Sequence, residues 1–217
     1  MPAEPEQDPK PRGYVGHATL SGELAVIDPV VQETERPMAI GFGVEVVAGP
    51  PDIPVLGGLG AGFLTLASSG HEGPATTTGS VEVNRSLELR HAELLVRVQP
   101  RVWRLRPFVQ GFVGVMALWD DASVEADSGL TDEEVDEQMS AGLLYGAAGG
   151  VSIDLWTTKQ DGESVGLALT LGVRRWFTTD MDRWQAVGDA GGTVVLDDVQ
   201  APLRAWVPFA GLSLTLD

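Results

Sequence analysis

The chain has 217 residues, with 14 Lys+Arg against 31 Asp+Glu and a formal net charge of −17, and its length suits one domain. It contains no cysteine, which removes disulfide frameworks and cysteine-based zinc or redox sites. The acidic balance opposes binding to phosphate backbones, so nucleic acid is not an expected partner, and 43% apolar residues is too many for a wholly unfolded chain.

Residues 1–12 (MPAEPEQDPKPR) are Pro-rich and charged and lack the apolar core of a signal peptide. They are expected to be a tail, either of a cytoplasmic protein or of a mature form whose signal has been removed. The longest apolar run, Val55 to Ala67, has 13 residues and four glycines, short of the ~18 or more that a membrane helix needs.

From Gly13 onward the dominant pattern is alternation, the period of a β-strand. It predicts eight strands, at about 13–27, 38–48, 55–66, 81–98, 106–118, 139–156, 163–178 and 203–216. In the first, Tyr14, Ala18, Leu20, Leu24 and Val26 alternate with His17, Thr19, Ser21 and Glu23. The third and fifth are apolar on both parities, so their facing stays open. The fourth changes parity, from Leu87 and Leu89 to Leu94, Val96 and Val98, which predicts a bulge near His91. The sixth carries Leu143, Tyr145, Val151 and Ile153 opposite Ser140, Ser152 and Asp154. The seventh carries Leu167, Leu169, Leu171 and Val173 opposite Thr170 and Arg174. Glycine and β-branched residues throughout leave no room for a long helix.

The connections alternate long and short, as in an up-and-down meander with one elaborated end. The four long ones carry −16 of the −17 charges and the tail carries −1, so strands and short turns are neutral overall. The third long connection is the most acidic, with Asp120, Asp121, Glu125, Asp127, Asp132, Glu133, Glu134, Asp136 and Glu137.

Alternation alone does not say which face points inward. In a soluble lipocalin-like barrel the apolar face would surround a ligand, and in a membrane barrel it would face lipid. Three features favour the membrane. The polar parity carries mutually neutralising charges suited to a narrow lumen: Glu23, Glu45, Glu88, Arg90, Asp154 and Arg174, with Glu93 and Arg97 after the parity change. Five tryptophans, Trp103, Trp119, Trp156, Trp176 and Trp206, lie in or beside strand ends, where an interfacial girdle places them. Many of the strands also exceed the ~9–11 residues that cross a tilted barrel wall.

With these features the chain resembles the small bacterial outer-membrane β-barrels, the OmpA/OmpX-like eight-stranded family, over about residues 13–217. Arg106-Pro107-Phe108-Val109-Gln110-Gly111-Phe112 is similar to the family's Arg-Pro-aromatic opening of a Gly-rich strand. Phe209 to Leu216 resembles the C-terminal signal read by the barrel-assembly machinery, although Asp217 replaces the usual terminal aromatic. The resemblance implies an all-β, antiparallel, up-and-down transmembrane barrel in the bacterial outer membrane. It further implies periplasmic termini and short turns, with the long acidic connections outside. Its partners would be outer-membrane lipids, the assembly machinery and, through the acidic connections, other envelope proteins.

A barrel of eight strands is narrow enough to be filled by its own side chains. The expectation is therefore a structural or interaction role, with Glu23, Glu45, Glu88, Arg90, Asp154, Arg174 and the lumen-facing His17 plugging the interior. The alternatives are a soluble lipocalin-like binding barrel and a lipid A-modifying enzyme built around His17. No catalytic or cofactor motif is present. Neither His71 nor His91 has metal-ligand spacing, and the acidic connection lacks an EF-hand spacing. The glycines Gly57, Gly58, Gly60 and Gly62 lack what a phosphate loop needs, a following helix and a Lys-Ser/Thr pair.

Overall fold

The structure is a computed structural model, and it describes residues 15–28, 38–66, 71–72, 81–100, 104–126, 133–134, 138–160, 163–188 and 194–216. Eight strands form the wall: β1 (Val15–Ile27), β2 (Met38–Gly49), β3 (Val55–Leu66), β4 (Val81–Val98), β5 (Leu105–Ala126), β6 (Gln138–Gln160), β7 (Glu163–Gly188) and β8 (Val194–Leu216). Each pairs antiparallel with its neighbours in the chain. The last returns to the first, from Gly16 opposite Leu216 to Ile27 opposite Ala205, and closes the barrel. Closure leaves the wall without free edges, so its backbone donors and acceptors are met within the sheet, as a lipid environment requires.

The strands are not of equal reach. The first three have 12 or 13 residues, while β5 to β8 have 22 to 26, roughly twice what a bilayer crossing needs. The excess of β5, β7 and β8 forms hairpin arms at the long-connection end. One arm pairs Val81–Leu87 of β4 with Asp120–Ala126 of β5, and the two-residue strands His71–Glu72 and Glu133–Glu134 flank it. The other pairs Met181–Gly188 of β7 with Val194–Ala201 of β8. Much of what alternation assigned to connections is therefore strand, including the backbone at Asp120, Asp121 and Glu125. The sequence there lacks the apolar alternation by which a strand is recognised.

The bulge expected near His91 is absent. The register of β4 runs unbroken against β3, from Leu66–Leu87 to Val55–Val98, and against β5, from Val81–Ala126 to Val98–Val109. Leu87 and Leu89 lie on the same inward parity as Leu95, because the lumen at that end is itself apolar. Register shifts occur elsewhere. One lies between Asp154 and Trp156, and the other between Pro202 and Arg204, where proline has no N–H to give the ladder. There the Thr178 hydroxyl accepts the Leu203 N–H at 2.8 Å.

The outer face is apolar around the whole circumference. Leu20, Ile40, Leu59, Leu94, Val109, Leu143, Leu171 and Leu214, one from each strand, all point outward and are exposed, with Val109 at 62%. An exposed apolar surface of this extent on every strand is the reverse of a soluble binding barrel and is the outer band of a transmembrane barrel.

Candidate functional site

The lumen is filled by two kinds of side chain. Toward the long-connection end, Ile27, Leu64, Leu87, Leu89, Met116, Leu118, Leu144, Met181 and Leu203 are buried as part of one continuous apolar cluster. An eight-stranded barrel is narrow enough for such side chains to meet across its interior.

Below them is an ionic cluster. Arg174 reaches inward from β7 and lies 2.6 Å from Glu45, 3.4 Å from Glu23 and 3.3 Å from Glu93. Arg97 of β4 pairs with the other oxygen of Glu45 and donates to Gln110 Oε1 at 2.8 and 2.6 Å. Gln110 returns a hydrogen bond to Glu45 at 2.9 Å. Glu45 thus accepts from two guanidinium groups and an amide, the kind of full satisfaction that makes buried charge tolerable. The guanidinium of Arg97 also lies over the Phe108 ring and that of Arg174 over the Phe209 ring, at 4.4 and 4.9 Å.

Glycine makes the room. The inward face of β3 presents Gly58, Gly60 and Gly62. A β-carbon at position 60 would stand 2.7 Å from Glu93 Oε1, and one at position 62 would stand 2.3 Å from His91 Nε2. The glycine run is a wall thinned to admit the cluster.

Toward the short turns the lumen becomes a ladder of hydroxyls. Thr19 and Ser213 share a hydrogen bond of 2.8 Å, Ser213 and Thr170 one of 2.6 Å, and Thr170 and Ser152 one of 2.9 Å. Ser152 also accepts from Gln99 at 3.5 Å. At the mouth Arg106 grips Asp154 at 2.9 Å. His17 is buried there and lines a cleft of about 260 Å³ with Val15, Pro50, Asp52, Ile53 and Gln99.

Of the residues expected in the lumen, Glu23, Glu45 and Arg174 meet in one cluster, while Asp154 and His17 face inward near the mouth, apart from it. Glu88 and Arg90 do not face inward. They pair with each other at 3.1 Å on the outer surface, because β4 keeps its parity. Arg90 lies there over the rings of Trp119 and Phe63, at 4.5 and 5.8 Å.

The tryptophans divide as well. Trp156 and Trp206 are exposed on the outer face and Trp119 is half-buried there. Trp176 is instead fully buried in the lumen, where its ring meets His91 edge-on at 4.8 Å. A tryptophan near a strand end is compatible with either face, and parity decides: Trp176 shares the inward parity of Arg174. Trp103 lies outside the described residues.

Sequence reasoning left His91, Arg106 and Gln110 without a lumen role. Counting in twos from Arg97 and Glu93 would have found His91. Gln110 and Arg106 stand on a strand whose two faces are both apolar enough to hide the period. Among the acids of the third long connection, Asp120, Asp121 and Glu125 belong to β5 and Glu133–Glu134 forms a short strand against it. Asp127, Asp132, Asp136 and Glu137 lie outside the described residues.

No family model and no curated protein matches the chain. Several solved structures are similar to it. Neisserial surface protein A (NspA) is 13% identical, covering 92% of this chain and 95% of its own, with a TM-score of 0.43. Ail, the attachment invasion locus protein of Yersinia pestis, is 9% identical, covering 93% and 97%, with a TM-score of 0.44. A major outer membrane protein from Thermus thermophilus is 17% identical, covering 91% and 98%, with a TM-score of 0.42. The closed meander, the apolar outer band and the filled, charged lumen make this chain an eight-stranded β-barrel of the outer-membrane type.

Proposed function

We propose that the protein is a closed, loop-presenting barrel of the bacterial outer membrane. Its wall anchors it in lipid, its lumen carries no solute, and its acidic arms serve as an interaction surface outside the membrane. The observation that carries this reading is the filling of the lumen. Buried apolar side chains fill the long-connection end, and a paired ionic cluster and a hydroxyl ladder, with Val47, Leu56 and Leu95 beside them, fill the rest. A continuous aqueous path would need charged or polar groups lining open space, and here those groups bond to one another.

The second part of the proposal concerns the arms. The long connections hold nearly all of the excess negative charge, and β5, β7 and β8 extend well past the length of a bilayer crossing. Like charges concentrated there favour cationic surfaces of envelope partners. They also favour Ca²⁺ or Mg²⁺ that bridges carboxylates to anionic lipopolysaccharide. No catalytic step is part of this reading. During biogenesis the terminal strand, whose pairing with β1 closes the wall, would be the segment that the assembly machinery engages.

Two measurements test the proposal. Protease added to intact cells should cut the arm between Asp120 and Gln138 and spare the short turns, and cleavage only after outer-membrane permeabilisation would reverse the orientation. Calorimetric titration of the detergent-solubilised barrel with Ca²⁺ and Mg²⁺ should register uptake, and its absence would remove the bridging role.

A further inference from the structure

The ionic cluster is one positive charge short. Its carboxylates are Glu23 from β1, Glu45 from β2 and Glu93 from β4, and its guanidinium groups are Arg97 from β4 and Arg174 from β7. The described side chains in contact with it are uncharged, among them Ser21 of β1, Gln110 and Phe108 of β5, Trp176 of β7 and Phe209 of β8. An unbalanced charge so enclosed is costly.

His91 stands where the missing charge belongs. Its Nε2 lies 3.8 Å from Glu23 Oε2 and its Nδ1 lies 4.0 Å from Glu93 Oε2, and all three side chains are completely buried. Those four atoms have no hydrogen-bond partner among the described residues, although every other oxygen of the three carboxylates has a guanidinium, amide or hydroxyl beside it. A neutral imidazole has one N–H and one lone pair, so either tautomer would aim a lone pair at a carboxylate. With both carboxylates ionised, only the doubly protonated ring offers a donor to each. The Trp176 ring packs against it in an edge-type contact at 4.8 Å and closes that side of the ring to water. Among the described residues no three acid or imidazole groups converge closely enough to share a metal ion.

We propose that this is a proton-binding site. His91 is held as an imidazolium clamped between Glu23 and Glu93, and it is the third cation of a neutral three-acid, three-base plug. The inference rests on the filled-lumen reading and concerns how the charge of that plug is balanced.

The direct test is nitrogen NMR of the histidine rings in the full chain, in micelles at pH 7, with the His91 signals assigned by their loss in His91→Gln. Both His91 nitrogens should carry protons in the wild type, and the Glu23→Gln, Glu93→Gln double variant should return the ring to a single N–H. A neutral ring in the wild type, or an imidazolium that survives the double substitution, overturns the proposal. If the double variant fails to fold, the wild-type spectrum still decides. A barrel that conducts ions would refute the closed-lumen reading and leave the state of the ring as a separate result.

Discussion

On the long-connection side of Glu45 the lumen holds Leu64, Leu89, Met116, Leu118 and Leu144, all fully buried. On the short-turn side, beside the buried Val47, Leu56 and Leu95, it holds Thr19, Ser152, Thr170 and Ser213, linked in a chain of hydrogen bonds. Both halves are full, but they are filled by different physics. The apolar half excludes water by packing and has no directional bonds to break. The polar half depends on every donor finding an acceptor, and its ionic floor depends on opposite charges being present together. On the proposed closed-lumen reading the barrier to ion passage would lie in the apolar half, while the ionic cluster ties five strands, β1, β2, β4, β5 and β7, to one another across the barrel.

The largest expected effect comes from breaking the ionic cluster. Arg174→Met removes the partner shared by Glu23, Glu45 and Glu93 and should cost roughly 3–5 kcal/mol, read as a lowered urea midpoint for unfolding from lipid vesicles. Leu144→Ala attacks the other half. It should cost about 2–5 kcal/mol through the cavity it leaves, measured in the same assay. The two halves should also differ in their control of permeability. Thinning the apolar half with Leu89→Gly and Met116→Gly together should raise ion leakage, whereas Gln110→Ala should not.

Gly62→Ala probes the space between the halves. Its added methyl meets the His91 ring and should cost about 1–3 kcal/mol by displacing it. Arg90→Ala is the smallest. Its ion pair with Glu88 is exposed on the outer wall, so its loss should change stability by less than about 1 kcal/mol.

The difference between the halves also explains what could be read from residues alone. Strands β2, β3 and β4 fall within a residue of their predicted limits, because apolar runs bounded by polar, glycine or proline punctuation mark their ends. The alternation rule misplaces Glu88 and Arg90. It assumes a polar lumen throughout, so the inward Leu87 and Leu89 read as outward and a bulge is needed to reconcile them with Glu93 and Arg97. The arms of β5, β7 and β8 are invisible to it because acidic stretches such as Asp120–Asp121 and Asp197–Asp198 interrupt the apolar alternation there. Glu23, Glu45 and Arg174 are legible as inward charges. That they meet at one point, with His91 among them, depends on the stagger of eight strands around the barrel, which no single strand encodes.

The claim that the lumen is closed is tested most directly by reconstituting the wild-type barrel in a planar bilayer at neutral pH and recording current under applied voltage. A sealed lumen predicts no stable conductance steps above the lipid background. Reproducible, long-lived open steps from the purified protein would contradict it.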